Sequence, residues 1–147
     1  MDASSIPTGE LTPTFPSITA GKPITLGADS PLIDHCFVLN PNASSIPLDT
    51  RPSGLKHALT LHHPEKNITL DVETTEPAFQ VYTGDGINVK EDKEKGVERG
   101  FGKRAGLAIE PSRYVDAVNR SEWRGMVVLK RGEVWGSKSR FTAVVRE

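Results

Sequence analysis

A single carboxylate, Glu110, ends the apolar, strand-like run Ala105-Gly-Leu-Ala-Ile109, and the turn residues Pro111 and Ser112 follow at once. A carboxylate at the lip of a sheet is both held and reached, the two conditions that a general base must meet. Asp34 lies inside another apolar segment, Leu32-Ile-Asp-His-Cys-Phe-Val-Leu39. An acid there is costly unless it is paired or faces a polar cleft. On a strand Asp34 and His35 point to opposite faces, so only one of them faces such a cleft; Asp34 is the choice, with His35 structural. Gln80 sits in Glu73-Thr-Thr-Glu-Pro-Ala-Phe-Gln-Val-Tyr-Thr-Gly-Asp85. Alternation places Gln80 and Tyr82 on one face, opposite Phe79 and Val81, and Tyr82 either lines a site or joins the core. The adjacent His62 and His63 lack a third ligand at suitable spacing, so they read as solvated turn residues and no metal is expected. Cys36 lies in an apolar strand and reads as a buried, inert thiol.

The elements that must position these residues are short. Pro7, Pro13, Pro16, Pro23 and Pro31 make residues 1–31 an extended lead-in, because proline removes a backbone donor and restricts its predecessor. From residue 33 the period becomes that of strands. Ile33–Leu39, His57–His62, Asn67–Glu73, Ala78–Thr83, Arg104–Glu110, Gly125–Lys130 and Ser139–Val145 are rich in β-branched or aromatic residues and separated by turn residues. Two of them form a hairpin around His63-Pro-Glu-Lys-Asn67, and Lys130-Arg-Gly-Glu-Val makes another turn. No segment predicts a helix of more than two turns. Residues 85–103, with Lys90-Glu-Asp-Lys-Glu-Lys95, have no apolar face and read as a solvated charged loop. The pattern is all-β and antiparallel, in one domain spanning 1–147.

Composition excludes several roles. The chain has 147 residues and a net charge of −1, too near zero to indicate a nucleic-acid or anionic-membrane partner. No apolar run approaches the ~20 residues of a membrane span. One cysteine excludes an internal disulfide framework. The start Met-Asp-Ala-Ser-Ser-Ile-Pro does not read as a signal peptide, so the default location is cytoplasmic. The sequons at Asn42, Asn67 and Asn119 are the one hint of a secreted origin.

The segments around Asp34, Gln80 and Glu110 resemble the C-terminal half of the aldose 1-epimerase (galactose mutarotase) family. The register extends to Tyr114, Asp116, Ala117 and Asn119 after Glu110. The resemblance implies an antiparallel β-supersandwich of the galactose mutarotase type, of which this chain is about the second half. It implies Glu110 as general base and Asp34 and Gln80 as ligands of sugar hydroxyls, with no cofactor. The substrate would be a monosaccharide, a free hexose such as galactose or glucose, whose α and β anomers interconvert by ring opening.

Departures from the family pattern concentrate near the base. Val81 replaces an aromatic, Arg104-Ala105 replace Ser-Gly, and Pro111-Ser112 replace Thr-Gln. Pro111 is expected to stop ladder pairing and expose the carboxylate. Arg104 either sits beside Glu110, favouring its charged form, or points away on the other face. The family's general acid is a histidine of the N-terminal half, and none of the four histidines here stands in its context. Activity of this chain alone is therefore expected to be weak or absent. Exposed sheet edges then suggest self-association or pairing with another chain. The rival expectation is a non-catalytic carbohydrate-binding or interaction module derived from that family. A hexose-6-phosphate epimerase is a weaker rival, since it needs a basic phosphate pocket and the one loop that offers it cations, Lys90–Lys95 with Arg99, Lys103 and Arg104, interleaves them with acids.

Overall fold

The computed structural model describes residues 8–12, 18–96 and 98–145. Pro7, Pro13 and Pro16 of the lead-in lie outside the described residues. Its described parts carry no strand of the two sheets and no helix; Lys22 N donates to Thr19 O and Gly27 N to Ser30 O in turns. Six strands follow: β1 (Asp34–Val38), β2 (Lys56–His63), β3 (Ile68–Thr74), β4 (Ala78–Tyr82), β5 (Ala108–Ser112) and β6 (Ser139–Val145). The only helices among the described residues are four three-residue 3-10 turns. The class is all-β with two antiparallel sheets, as a mutarotase-type β-sandwich requires.

The described residues divide into two compact units, one within 36–79 and 111–145, the other within 8–35 and 80–110. The first unit contains the sheet β2-β3-β6. β2 and β3 form the expected hairpin, closed by the His63↔Ile68 pair, and Asn67 takes φ 47 in its turn. Asparagine tolerates that left-handed conformation because its short amide bonds locally. The core of this unit gathers Ile46, Ala78, Tyr114, Ala117 and Met126, with Cys36 packed against it. Burial pushes the Cys36 thiol above its ordinary pKa, in keeping with an inert thiol. The Tyr114 hydroxyl donates to Asn40 O, satisfying a polar tip that burial would otherwise penalise.

A buried ion pair also belongs to this unit. Arg113 Nε lies 3.2 Å from Glu76 Oε2, with side chains only 8% and 4% exposed. Arg113 Nη2 donates to Leu48 O at 2.7 Å. Burial pushes the guanidinium pKa down and the Glu76 charge pushes it back up, so each charge stabilises the other where water is excluded.

Two expected strands are corrected. Gly125–Lys130 is not a strand: Arg124–Met126 form a 3-10 turn, with Val128 N donating to Arg124 O. An apolar run such as Met-Val-Val-Leu suits a buried turn as well as a strand, and here Met126 alone is fully buried. The strand expected over Arg104–Glu110 begins instead at Ala108 and runs to Ser112. Arg104 has φ 59, and Ala105 N bonds to Gly102 O, so a turn occupies the first part. Nor does Pro111 end the ladder. It lies within β5, an edge strand of the sheet ordered β1-β4-β5, where a missing N–H is tolerated on the open side.

Candidate functional site

β1, β4 and β5 each supply residues to the second unit: Asp34 and His35, Gln80–Tyr82, and Ala108–Glu110. β4 forms because Ala-Phe-Gln-Val-Tyr alternates. Phe79 and Val81 are buried while Gln80 and Tyr82 are half-buried, the two-faced strand that the sequence predicts. β1 pairs with it antiparallel, Thr83 N donating to Ile33 O at 2.9 Å and Leu39 N to Pro77 O at 2.8 Å. The Thr83 hydroxyl reinforces the first of these ends by accepting from Ile33 N.

That pairing joins two of the three candidates. Gln80 Nε2 donates to Asp34 Oδ1 at 2.7 Å, a charge-assisted bond between residues 46 apart in sequence. The bond holds the amide in one orientation. Gln80 Oε1 is buried, with no hydrogen-bond partner among the described residues, and so keeps its acceptor capacity. Asp34 itself is exposed, which relieves the desolvation cost that its apolar neighbours would impose. His35 is half-buried, and its Nδ1 accepts from Asp34 N at 3.0 Å.

Glu110 is exposed on β5, the strand next to β4. It makes no ion pair with a described residue and is not bonded to Asp34 or Gln80. Arg104, left open by the sequence between two orientations, is committed elsewhere. Its Nη1 donates to Asp85 Oδ1 at 3.1 Å and to Pro31 O at 3.2 Å, with both ion-pair side chains nearly buried. The Tyr82 hydroxyl accepts from Gly86 N and so ties the strand to the start of the following loop.

Asp85 and Arg104 are the feature that sequence reasoning missed. They stand at the two ends of the charged interval 85–103 and close it at its base. The Thr83 hydroxyl donates to Asp85, and together with Arg104 it holds the Asp85 carboxyl below the usual carboxylate range. Arg104 N donates to Gly84 O, and a reciprocal backbone pair between Val89 and Phe101 closes the loop further out. Gly84 has φ 74, and a Cβ there would strike the Gly106 carbonyl, so glycine is required at this crossing. The available signal was the opposite charge of Asp85 and Lys103-Arg104 at the interval's ends. Tyr114, Asp116, Ala117 and Asn119 serve structure: Tyr114 and Ala117 are core, Asp116 takes φ 64, and Asn119 Nδ2 donates to Asp116 Oδ1.

His62 and His63 are exposed, His62 Nδ1 bonding Thr69 Oγ1 at 3.1 Å. Among the described residues no group of three or more His, Cys, Asp or Glu could hold a metal ion. No helix among them is long and apolar enough to cross a membrane.

Known proteins are similar to this chain in sequence. The chain is 37% identical over 144 residues to bifunctional protein gal10 of Schizosaccharomyces pombe, covering 98% of this chain and 18% of the relative. It is 36% identical over 142 residues to the uncharacterized isomerase YNR071C of Saccharomyces cerevisiae, covering 95% and 39%. To the galactose mutarotase of Homo sapiens it is 31% identical over 140 residues, covering 90% and 37%. The chain thus spans between 18% and 39% of the length of these relatives. Residues 1–142 match the aldose 1-epimerase family, and the chain belongs to it.

Proposed function

We propose that this chain carries the base and sugar-holding side of an aldose 1-epimerase site acting on free hexoses such as galactose or glucose. The observation that supports this most is the Gln80–Asp34 hydrogen bond, which joins β1 to β4, the strand beside the one that carries Glu110. Asp34 offers carboxylate oxygens to sugar hydroxyls, and Gln80 offers the acceptor Oε1. Glu110 takes the proton of the anomeric hydroxyl while the ring oxygen gains one and the C1–O5 bond breaks. Rotation about C1–C2 in the open aldehyde presents the other face, and closure reverses both proton transfers. A well-placed acid or base contributes ~10²–10⁴-fold each. None of His35, His57, His62 and His63 stands in the family's acid context, so for this chain alone water is the proton donor and turnover is slow. The name of the human relative, a galactose mutarotase, supports galactose as the first substrate to try.

The same hydrogen bond also favours a second reading, a non-catalytic carbohydrate-binding module. Polarimetry of fresh α-D-galactose with the chain and its Glu110→Gln variant separates the two, with binding followed in parallel by NMR titration of galactose. Under the first reading the wild type accelerates mutarotation, and the variant loses that acceleration while still binding sugar. Binding without acceleration in the folded wild type supports the second reading. If the folded chain neither binds nor accelerates, both readings fail.

A further inference from the structure

Asp34 and Gln80 have a third neighbour on their face of the sheet. The bonds Thr83 N to Ile33 O and Leu39 N to Pro77 O share one antiparallel register between β1 and β4. One step inward from Ile33–Thr83, that register sets Asp34 directly opposite Tyr82. The step alternates with a hydrogen-bonded pair, so Asp34 and Tyr82 form the narrower kind of pair, in which side chains stand closest. Gln80 lies two residues from Tyr82 along β4 and reaches Asp34 on the diagonal, through the 2.7 Å bond between them. A carboxylate, an amide and a phenol ring thus adjoin on one face, all within the second unit.

The ring of Tyr82 is held in place without being packed away. Tyr82 is half-buried, whereas Phe79 and Val81, which point the other way, are buried. Its hydroxyl accepts from Gly86 N, and a Cβ on Gly86 would stand 2.7 Å from that oxygen, so glycine lets the loop close on the phenol. Phe37 stacks on Phe79 and Tyr114 packs edge-on against Trp123, but Tyr82 has no ring partner among the described residues. A pyranose carries hydroxyls at its rim and C–H bonds on its faces. Asp34 and Gln80 suit the hydroxyls. A fixed aromatic ring beside them suits a C–H face, and few polar groups set against an aromatic wall is the common make-up of a small-molecule site.

We infer that Tyr82 is a sugar-contact residue, its ring packing against the C–H face of the hexose held by Asp34 and Gln80. The inference rests on the hexose site proposed above and adds the wall that fixes the plane of the sugar. The chain has two tyrosines, and Tyr114 is only 5% exposed, in the core of the other unit, so ring-labelled tyrosine reports on Tyr82. NMR of the ring-labelled chain with galactose is expected to show nuclear Overhauser contacts from the tyrosine ring to galactose C–H protons, and upfield ring-current shifts of those protons. Tyr82→Leu is expected to lose both signals and to bind galactose about two- to tenfold more weakly, with unchanged far-UV circular dichroism. Tyr82→Phe is expected to keep the shifts, because the ring makes the contact. Should Tyr82→Leu fail to fold, the wild-type contacts and Tyr82→Phe decide the matter. Galactose bound to the wild type without ring contacts overturns the inference and leaves the proposed site standing. Contacts that persist in folded Tyr82→Leu belong to Tyr114 and overturn it too. A folded wild type that binds no galactose overturns both the site and this inference.

Discussion

The two sheets solve opposite problems with the same local alternation. In β2-β3-β6 polar side chains pair across the ladder, as in Thr60–Asp71, Thr74–Ser139 and Glu73–Arg140. In β1-β4-β5 the polar groups Asp34, Gln80 and Glu110 interrupt strands that are otherwise mostly apolar. A ladder whose charges are paired within the sheet has little left to offer a small polar ligand. A strand that keeps a carboxylate exposed and an amide oxygen unbonded has kept binding capacity at some cost in cohesion. Each unit has its own ion pair with both side chains largely buried: Glu76–Arg113 in the first, Asp85–Arg104 in the second.

The contrast is broken most severely at the buried clamp. Arg113→Ala leaves Glu76 buried without its counter-charge, and is expected to cost about 3–5 kcal/mol in urea denaturation. Met126→Ala, in the core of the same unit, is expected to cost about 2–5 kcal/mol by the same measurement. An Arg140→Ala change, by contrast, removes an exposed pair and should cost no more than about 1 kcal/mol. A loss from Arg140→Ala as large as that from Arg113→Ala would remove the distinction between clamp and ladder.

Acid sharpens the comparison further. The Thr83 hydroxyl and Arg104 depress the Asp85 pKa, and the hydrogen bond from Arg51 holds Asp49 at about 2. For both, the folded chain binds the proton less readily than the unfolded chain, whose carboxyls titrate near about 3.9. Their contribution is complete above that range and is lost as pH falls through the lowered values. Thermal unfolding from neutral pH down to about 2 is expected to show a falling midpoint in this window, and Asp85→Asn should flatten part of the fall. An unchanged acid limb in that variant would show that the loop-base clamp contributes no pH-dependent stability. The smallest expected effect is Tyr114→Phe, which removes the hydrogen bond to Asn40 O and should cost about 1 kcal/mol.

Alternation and turn chemistry made most strands legible. β6 matches its expected bounds residue for residue, β4 differs by a residue at one end and β2 and β3 by a residue at each end, because period-two burial is written in consecutive residues. The errors fell where one local pattern suits two structures. Met126 and its neighbours have the composition of a strand but wind into a turn, since a short apolar run does not reveal its own period. Pro111 looked like a stop because the sequence does not say which strand lies at an edge. Glu110, Asp34 and Gln80 were singled out by charge or polarity within apolar runs and by family resemblance. That Gln80 would bond Asp34, or that Arg104 would turn to Asp85, was not visible.

Each residue's preference for strand or turn, and the division of β4 into a packed and a polar face, were settled by the sequence alone, through sterics and hydration acting over two or three residues. Which strands are neighbours, which carboxylate receives which donor, and which strands come last in a sheet among the described residues were decided by the tertiary structure. Those choices bring together groups tens of residues apart, and their free energy depends on a burial and a geometry that exist only once the chain has folded.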